Sequence, residues 1–374
     1  MKLWIPGPTE VRASLLAECA RPMIGHRSDA MAKLHDRIDP HLRLAFGLEP
    51  SAGSEAAVHT CSATGLMEAS LHGTGCRVLC VVNGSFSKRW AEIAQVLGFE
   101  TVVLKKAFGE AASPEEIDRT LTEKGPFDAL TLISNETSTG VRTPLAGVAS
   151  VMRRHPQTLW LVDVVSYLAG MPLDFDAHGI DFAFAGSQKA LSLPPGITVF
   201  AASKRYLERV RKGRRPSYYL DAVRVLDGHR ERKTPATPCI PLYFALAQQL
   251  EDITNGVTLP EQDRVLKGQA AWTARYQKHE RMYRTTEAWA VRHGLEYVPA
   301  SEHRSWTVSC IKKGPLDVTK LLSELKKRGQ TISNGYGDLK DVSFRIGHMG
   351  DHTESDLAAL LAAADEVLAS GSAR

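Results

Sequence analysis

Through the middle of the chain, short apolar blocks alternate with longer stretches whose apolar positions recur at helical spacing. The blocks fall at 56–61, 77–82, 101–104, 129–133, 158–162, 181–185 and 197–201. They are runs of mostly apolar residues without strict alternation, as strands covered on both faces are. Strands of that kind separated by helices form a mostly parallel sheet. A helix start is written in Ser113-Pro114-Glu115-Glu116, with Ser113 as cap, Pro114 at the first helical position and Glu116 closing a capping box. Residues 238–253 read as one long helix through Ile240, Tyr243, Phe244, Leu246, Ala247 and Leu250. After Asn255-Gly256 the order changes to helix 259–293, strand 304–311, helix 317–328, strand 342–346 and helix 353–369. The expectation is an α/β protein in three parts. Residues 1–20 form an N-terminal segment packed on the smaller domain. Residues 21–255 form a large domain around a mostly parallel seven-stranded sheet, and residues 256–374 a smaller α+β domain.

Composition narrows the class. With 374 residues, 43% hydrophobic and 24% charged, the chain has a globular balance and length for a sizeable core. The net charge of +4 comes from interspersed acids and bases, which argues against nucleic acid as a partner. One basic knot, 209–215, reads either as a solvated helix end or as an anion contact. The six cysteines (Cys19, Cys61, Cys76, Cys80, Cys239, Cys310) contain no CxxC and no zinc spacing, so no metal is expected. Cys76 and Cys80 flank a strand and read as core thiols, in keeping with a reducing compartment. No run of about 18 apolar residues exists for a membrane span. The first residues lack a signal peptide's apolar stretch, and the expected location is cytoplasmic.

Ligands of open parallel sheets bind beyond the carboxyl ends of the strands. There the chain carries Cys61-Ser62-Ala63-Thr64-Gly65 before a helix, a cup for a phosphate or a simple cap. Phe86 follows Asn83-Gly84-Ser85, either a ring stacker or a core aromatic. The polar run 134–140, Ser-Asn-Glu-Thr-Ser-Thr-Gly, is a hydrogen-bonding loop or a turn. Asp163 ends a very apolar strand, where a carboxylate needs a cationic partner; it reads either as a buried site acid or as a helix cap or salt bridge to a nearby arginine. Lys189 follows another strand in a stretch with no other charge before Lys204. It is either a desolvated amine able to form an imine or an exposed loop lysine. A phosphate cup, a ring stacker, a buried acid and a desolvated amine together are what pyridoxal phosphate needs.

The residues also resemble a family. Pro6-Gly7-Pro8-Thr9, Gly25-His26-Arg27, the loop Asn135-Glu136-Thr137-Ser138-Thr139-Gly140, Asp163 to Gly170, Gly186-Ser187-Gln188-Lys189-Ala190-Leu191, Pro194-Pro195-Gly196 and Phe344-Arg345-Ile346-Gly347-His348-Met349-Gly350 are similar, in order, to class V aminotransferases of pyridoxal-phosphate fold type I. The nearest branch is that of the alanine/serine–glyoxylate enzymes. The resemblance implies that Lys189 joins the cofactor aldehyde and Asp163 pairs with its ring nitrogen. Val165 and Phe86 would cover opposite ring faces. Ser62, Ala63 and Thr64 would bind the phosphate with Gln188 beside them, and Thr137 would bond the ring oxygen. Arg345 would grip the substrate carboxylate. Thr234 and Thr237 match a segment that completes the phosphate site of a second subunit, which implies a homodimer with shared sites. The implied reaction moves an amino group from alanine or serine to glyoxylate or pyruvate. The alternatives are a 2-aminoethylphosphonate–pyruvate transaminase, with the basic knot or Arg27 as phosphonate site, and a cofactor-binding homologue without turnover.

Overall fold

A computed structural model describes residues 1–371. All seven apolar blocks are strands of one sheet: β1 (Glu55–His59), β2 (Arg77–Val82), β3 (Glu100–Lys105), β4 (Ala129–Ile133), β5 (Leu159–Asp163), β6 (Phe182–Gly186) and β7 (Thr198–Ala202). Their order across the sheet is β1-β7-β6-β5-β4-β2-β3. Only β7 runs antiparallel to its neighbours. Six strands therefore deliver their carboxyl ends to one edge.

Alternate strand residues feed two cores. Val58, Leu79, Leu130, Trp160 and Val162 pack under helices Asp29–Phe46 and Ile240–Thr254. Ala57, Cys80, Leu161, Phe182 and Phe200 pack on the other face, under helices Ala63–Leu71, Ser85–Val96 and Ala222–Arg230. Burial on both faces explains why the central strands are largely apolar, whereas the edge strand β3 is exposed or half-buried along its length and carries Glu100 and Lys105. Cys80 is buried as expected, whereas Cys76 is exposed, because the strand starts only at Arg77.

A third core forms around a small antiparallel sheet of Val308–Lys312, Ser343–Gly347 and Ser333–Asn334, with helices Val318–Lys327 and Glu354–Ala369. Helix Gly268–Arg292 joins the cores, with Trp272 and Tyr276 in the first and Met282 and Trp289 in the third. The N-terminal segment also touches both. Lys2–Leu3 pairs with Gln330–Thr331 and Trp4 sits in the third core, while helix Ala13–Cys19 packs on helix Ile240–Thr254. Among the described residues, no helix is long and apolar enough to cross a membrane, and no group of three or more His, Cys, Asp or Glu side chains is arranged to hold a metal ion.

Candidate active site

Beyond the carboxyl ends of β1, β2, β4, β5 and β6 lies a cavity of about 240 Å³. Its wall includes Ser62, Ala63, Thr64, Phe86, Thr137, Asp163, Val165, Gln188 and Lys189, with Gly7, Met67, Arg89, Ile133 and Asn135 between them.

Ser62 caps helix Ala63–Leu71 by position, yet its hydroxyl accepts no bond from the helix. The first N–H groups of a helix have no partner within it and carry the positive end of its dipole. This end of the cavity is therefore built to receive an anion. Phe86 stands in the first turn of helix Ser85–Val96, whose start is held by Glu136. The buried Glu136 carboxylate accepts from Ser87 N–H at 2.9 Å and from the Ser138 hydroxyl at 2.6 Å. Gly84 makes room for it, since a Cβ there would overlap the Glu136 side chain.

Asp163 is buried at the end of β5. Its Oδ1 accepts from Val165 N–H at 2.7 Å. Burial pushes its carboxyl up to about 7, with Glu136 adding to the rise and the Val165 N–H, Lys189 and Arg89 opposing it. Lys189 is also buried, and desolvation and Arg345 push its amine down to about 8 against the pull of Asp163 and Glu136. Its Nζ donates to the carbonyl of Pro6. Gly7 permits that approach: its φ is +113°, and a Cβ would lie 2.6 Å from Lys189 Nζ. Thr9 N–H then bonds the Gln188 carbonyl at 3.0 Å, so the N-terminal segment straps the lysine loop.

On the same cavity wall, the Thr137 hydroxyl donates to Ser166 Oγ at 2.8 Å. Asn135 gives its Nδ2 hydrogens to Ser166 and Thr307, but its buried Oδ1 has no partner. Pyridoxal phosphate matches this donor set: an uncapped helix start for the phosphate, an acid for the ring nitrogen, an amine for the aldehyde, and an orphaned acceptor in the wall.

Arg345, on strand Ser343–Gly347, does not itself line this cavity but lies against Thr137, which does. Its guanidinium bonds two carbonyls, Asn334 and Thr137, both at 3.1 Å, and lies 5.4 Å from the Tyr336 ring centre. Among the described residues it has no carboxylate partner, although it is buried. Thr234 and Thr237 are not on this cavity; they line a separate recess with His59 and Tyr219, where the buried Thr234 hydroxyl is unpartnered. In the basic knot two of the five basic side chains are paired with carboxylates, Arg211 with Asp227 and Arg215 with Asp221.

The aminotransferase class-V family pattern matches residues 53–260, which include Asp163 and Lys189. The chain belongs to the class V aminotransferases. It is 31% identical to an uncharacterised aminotransferase of Methanocaldococcus jannaschii, over 98% of this chain and 92% of that one. It is 28% identical to the L-aspartate–glyoxylate aminotransferase of Paracoccus denitrificans, over 98% and 91%. The crystal structure of an alanine–glyoxylate aminotransferase from Nostoc sp. superposes with a TM-score of 0.86 at 29% identity, covering 98% of this chain and 94% of that one. As a class V aminotransferase the protein uses pyridoxal phosphate. Three site features of this aminotransferase escaped the sequence. Arg89 sits one helical turn after Phe86, Asn135 has no signal of its own within a polar loop, and Glu136 acts on a helix start distant in the chain.

Proposed function

We propose that the protein transfers an amino group from a small amino acid, alanine or serine, to glyoxylate. What carries the reading is the pairing of a desolvated amine, Lys189, and a desolvated acid, Asp163, on one cavity wall with an anion-receiving helix start. Ser62, Ala63 and Thr64 would hold the cofactor phosphate, with Gln188 beside them. Asp163 would hold the proton on the ring nitrogen, and Phe86 and Val165 would cover the ring faces. Thr137 would bond the ring oxygen once its hydroxyl turns from Ser166. When bound, pyridoxal phosphate supplies the electron sink for the bonds at the substrate Cα. Lys189 Nζ would take the proton from that Cα and deliver it to the carbon that was the cofactor's aldehyde, and in the second half-reaction would carry a proton the opposite way, onto the Cα of the new amino acid. An amine pushed down to about 8 is suited to this work, since a neutral fraction is present near neutrality. Arg345 supplies a planar fork for the substrate carboxylate. Thr234 and Thr237 would reach the phosphate of a second copy, so the working unit is a homodimer.

Relatives named for aspartate and for alanine share glyoxylate in their names, which supports the acceptor more strongly than the donor. The test mixes the cofactor-loaded protein with single amino acids and follows loss of its visible absorbance, then adds glyoxylate and follows its return. Alanine or serine should give the fastest loss. Aspartate as the only active donor would replace the donor assignment. Absence of any visible band would overturn the site assignment. Arg345→Ala should lower kcat/KM for carboxylate donors by about 100-fold while the band remains.

A further inference from the structure

Outside the cavity, a buried charged cluster centres on Arg275 of helix Gly268–Arg292, whose side chain is fully enclosed. Its guanidinium uses three separate donors on three separate segments. Nε donates to the Ala169 carbonyl at 3.1 Å, Nη2 to the Ala190 carbonyl at 2.7 Å, and Nη1 to Asp351 Oδ1 at 2.9 Å. Ala169 closes the turn that begins after Asp163. Ala190 immediately follows Lys189. Asp351 lies just past the strand that carries Arg345. One side chain therefore ties together the segments bearing the acid, the amine and the substrate arginine, and touches none of the three.

Further contacts close the cluster. Asp351 accepts from Arg12 Nε at 2.5 Å, and Arg12 Nη2 reaches Asp252 at 2.8 Å. Asp351 N–H donates to Ser192 Oγ at 2.9 Å, and Lys278 Nζ donates to the Gly350 carbonyl at 2.8 Å. Two tied residues, Ala169 with φ 63° and Ser192 with φ 54°, hold the left-handed conformation without being glycine. Such backbone persists only where its surroundings over-determine it. A buried ion network is also a poor way to gain stability, because apolar packing does as well. Its use here is geometric.

We propose that Arg275 is a positioning residue that fixes Lys189, Asp163 and Arg345 relative to one another through Ala190, Ala169 and Asp351. The inference rests on the transaminase reading of the site. Misalignment of reacting groups by an ångström costs rate more than binding. Three variants test it: Arg275→Met, Arg275→Lys and Ser192→Ala. In the cofactor-free protein, hydrogen exchange should quicken about tenfold at the Ser192 and Leu193 amides, which bond the Lys189 and Ser187 carbonyls at 2.8 and 3.1 Å. In the loaded enzyme, kcat should fall about 10- to 100-fold with KM little changed, and an α-deuterated donor should show a larger isotope effect. Arg275→Lys keeps the charge but not the fork, so it should recover the melting temperature without recovering kcat. Folded Arg275→Met with wild-type exchange and kcat would overturn the proposal. Should Arg275→Met not fold, Ser192→Ala, which removes an acceptor but no charge, decides in the same way with a smaller loss. A wild-type protein without transaminase activity would sink the site reading instead, and the exchange measurement would still decide the clamp.

Discussion

At the scale of single residues, the site trades stability for reactivity. Asp163→Asn is nearly isosteric and keeps an oxygen for Val165 N–H. The unfolded carboxyl loses its proton near its ordinary value of about 4, and the folded one at about 7. Between those values the folded cofactor-free protein holds a proton that the unfolded chain has released. Its stability therefore falls as pH rises through that window. Asp163→Asn should accordingly be more stable than wild type at pH 8 by about 1–3 kcal/mol and nearly equal at pH 4, by thermal melting without cofactor. On the proposed pairing of Asp163 with the ring nitrogen, turnover of this variant should fall at least about 100-fold. Gly7→Ala makes the complementary case. The new methyl would meet Lys189 at 2.6 Å on a backbone with φ +113°, so cofactor loading should drop steeply while the fold persists. Loading equal to wild type, measured by visible absorbance, would show that the strap yields freely. Lys189 and Asp163 were legible in the sequence because charge is rare at the end of apolar strands. Gly7 stood there only as part of a motif, since its need for a bare Cα comes from a lysine far along the chain.

Helices and strands carry the next layer. Helix Ser85–Val96 presents Phe86 only while its start is held, and Glu136 holds it through Ser87 and Ser138. Glu136→Gln should cost about 1.5–3 kcal/mol in denaturant titration and weaken cofactor binding. Unchanged cofactor affinity would separate helix capping from ring placement. Helix Asp29–Phe46 meets helix Ala222–Arg230 through His35 and His229, whose Nδ1 atoms lie 2.9 Å apart. Burial and His229 push His35 down to about 4. As pH falls below about 6.5 the unfolded chain takes up a proton at this position before the folded one, so the stability that neutral His35 contributes is lost between those values. His35→Gln should therefore lose less stability than wild type on going from pH 7 to pH 5, and equal losses would show that His35 is not held neutral by the fold. The seven long strands were legible in the sequence to within two residues, being apolar blocks between helices. Strands Ser333–Asn334 and Gln330–Thr331 were not, because two residues leave no periodicity and their pairing partners are distant.

For the molecule as a whole, assembly decides where Thr234 and Thr237 act. They line a recess apart from their own chain's cavity, and the Thr234 hydroxyl is buried without a partner. If a second copy completes the site, mixing inactive Lys189→Ala protein with a Thr234→Ala/Thr237→Ala protein should restore part of the activity. One interface-paired site in the mixed dimer then has every group intact. Activity no greater than the sum of the separate proteins would assign these threonines a local role. The N-terminal segment and helix Gly268–Arg292 matter at this scale too, since each spans the cores that carry Lys189 and Arg345.

The chain's own order of residues determined the sheet, the helices around it and the chemical types at the strand ends. Those follow from local periodicity, turn chemistry and the cost of placing charge beside apolar runs. Tertiary structure alone decided which groups share a cavity, which glycine must lack a side chain, and which buried arginine holds three segments in register. Each of these depends on contacts between residues far apart in sequence, and no local pattern encodes a distance across the fold.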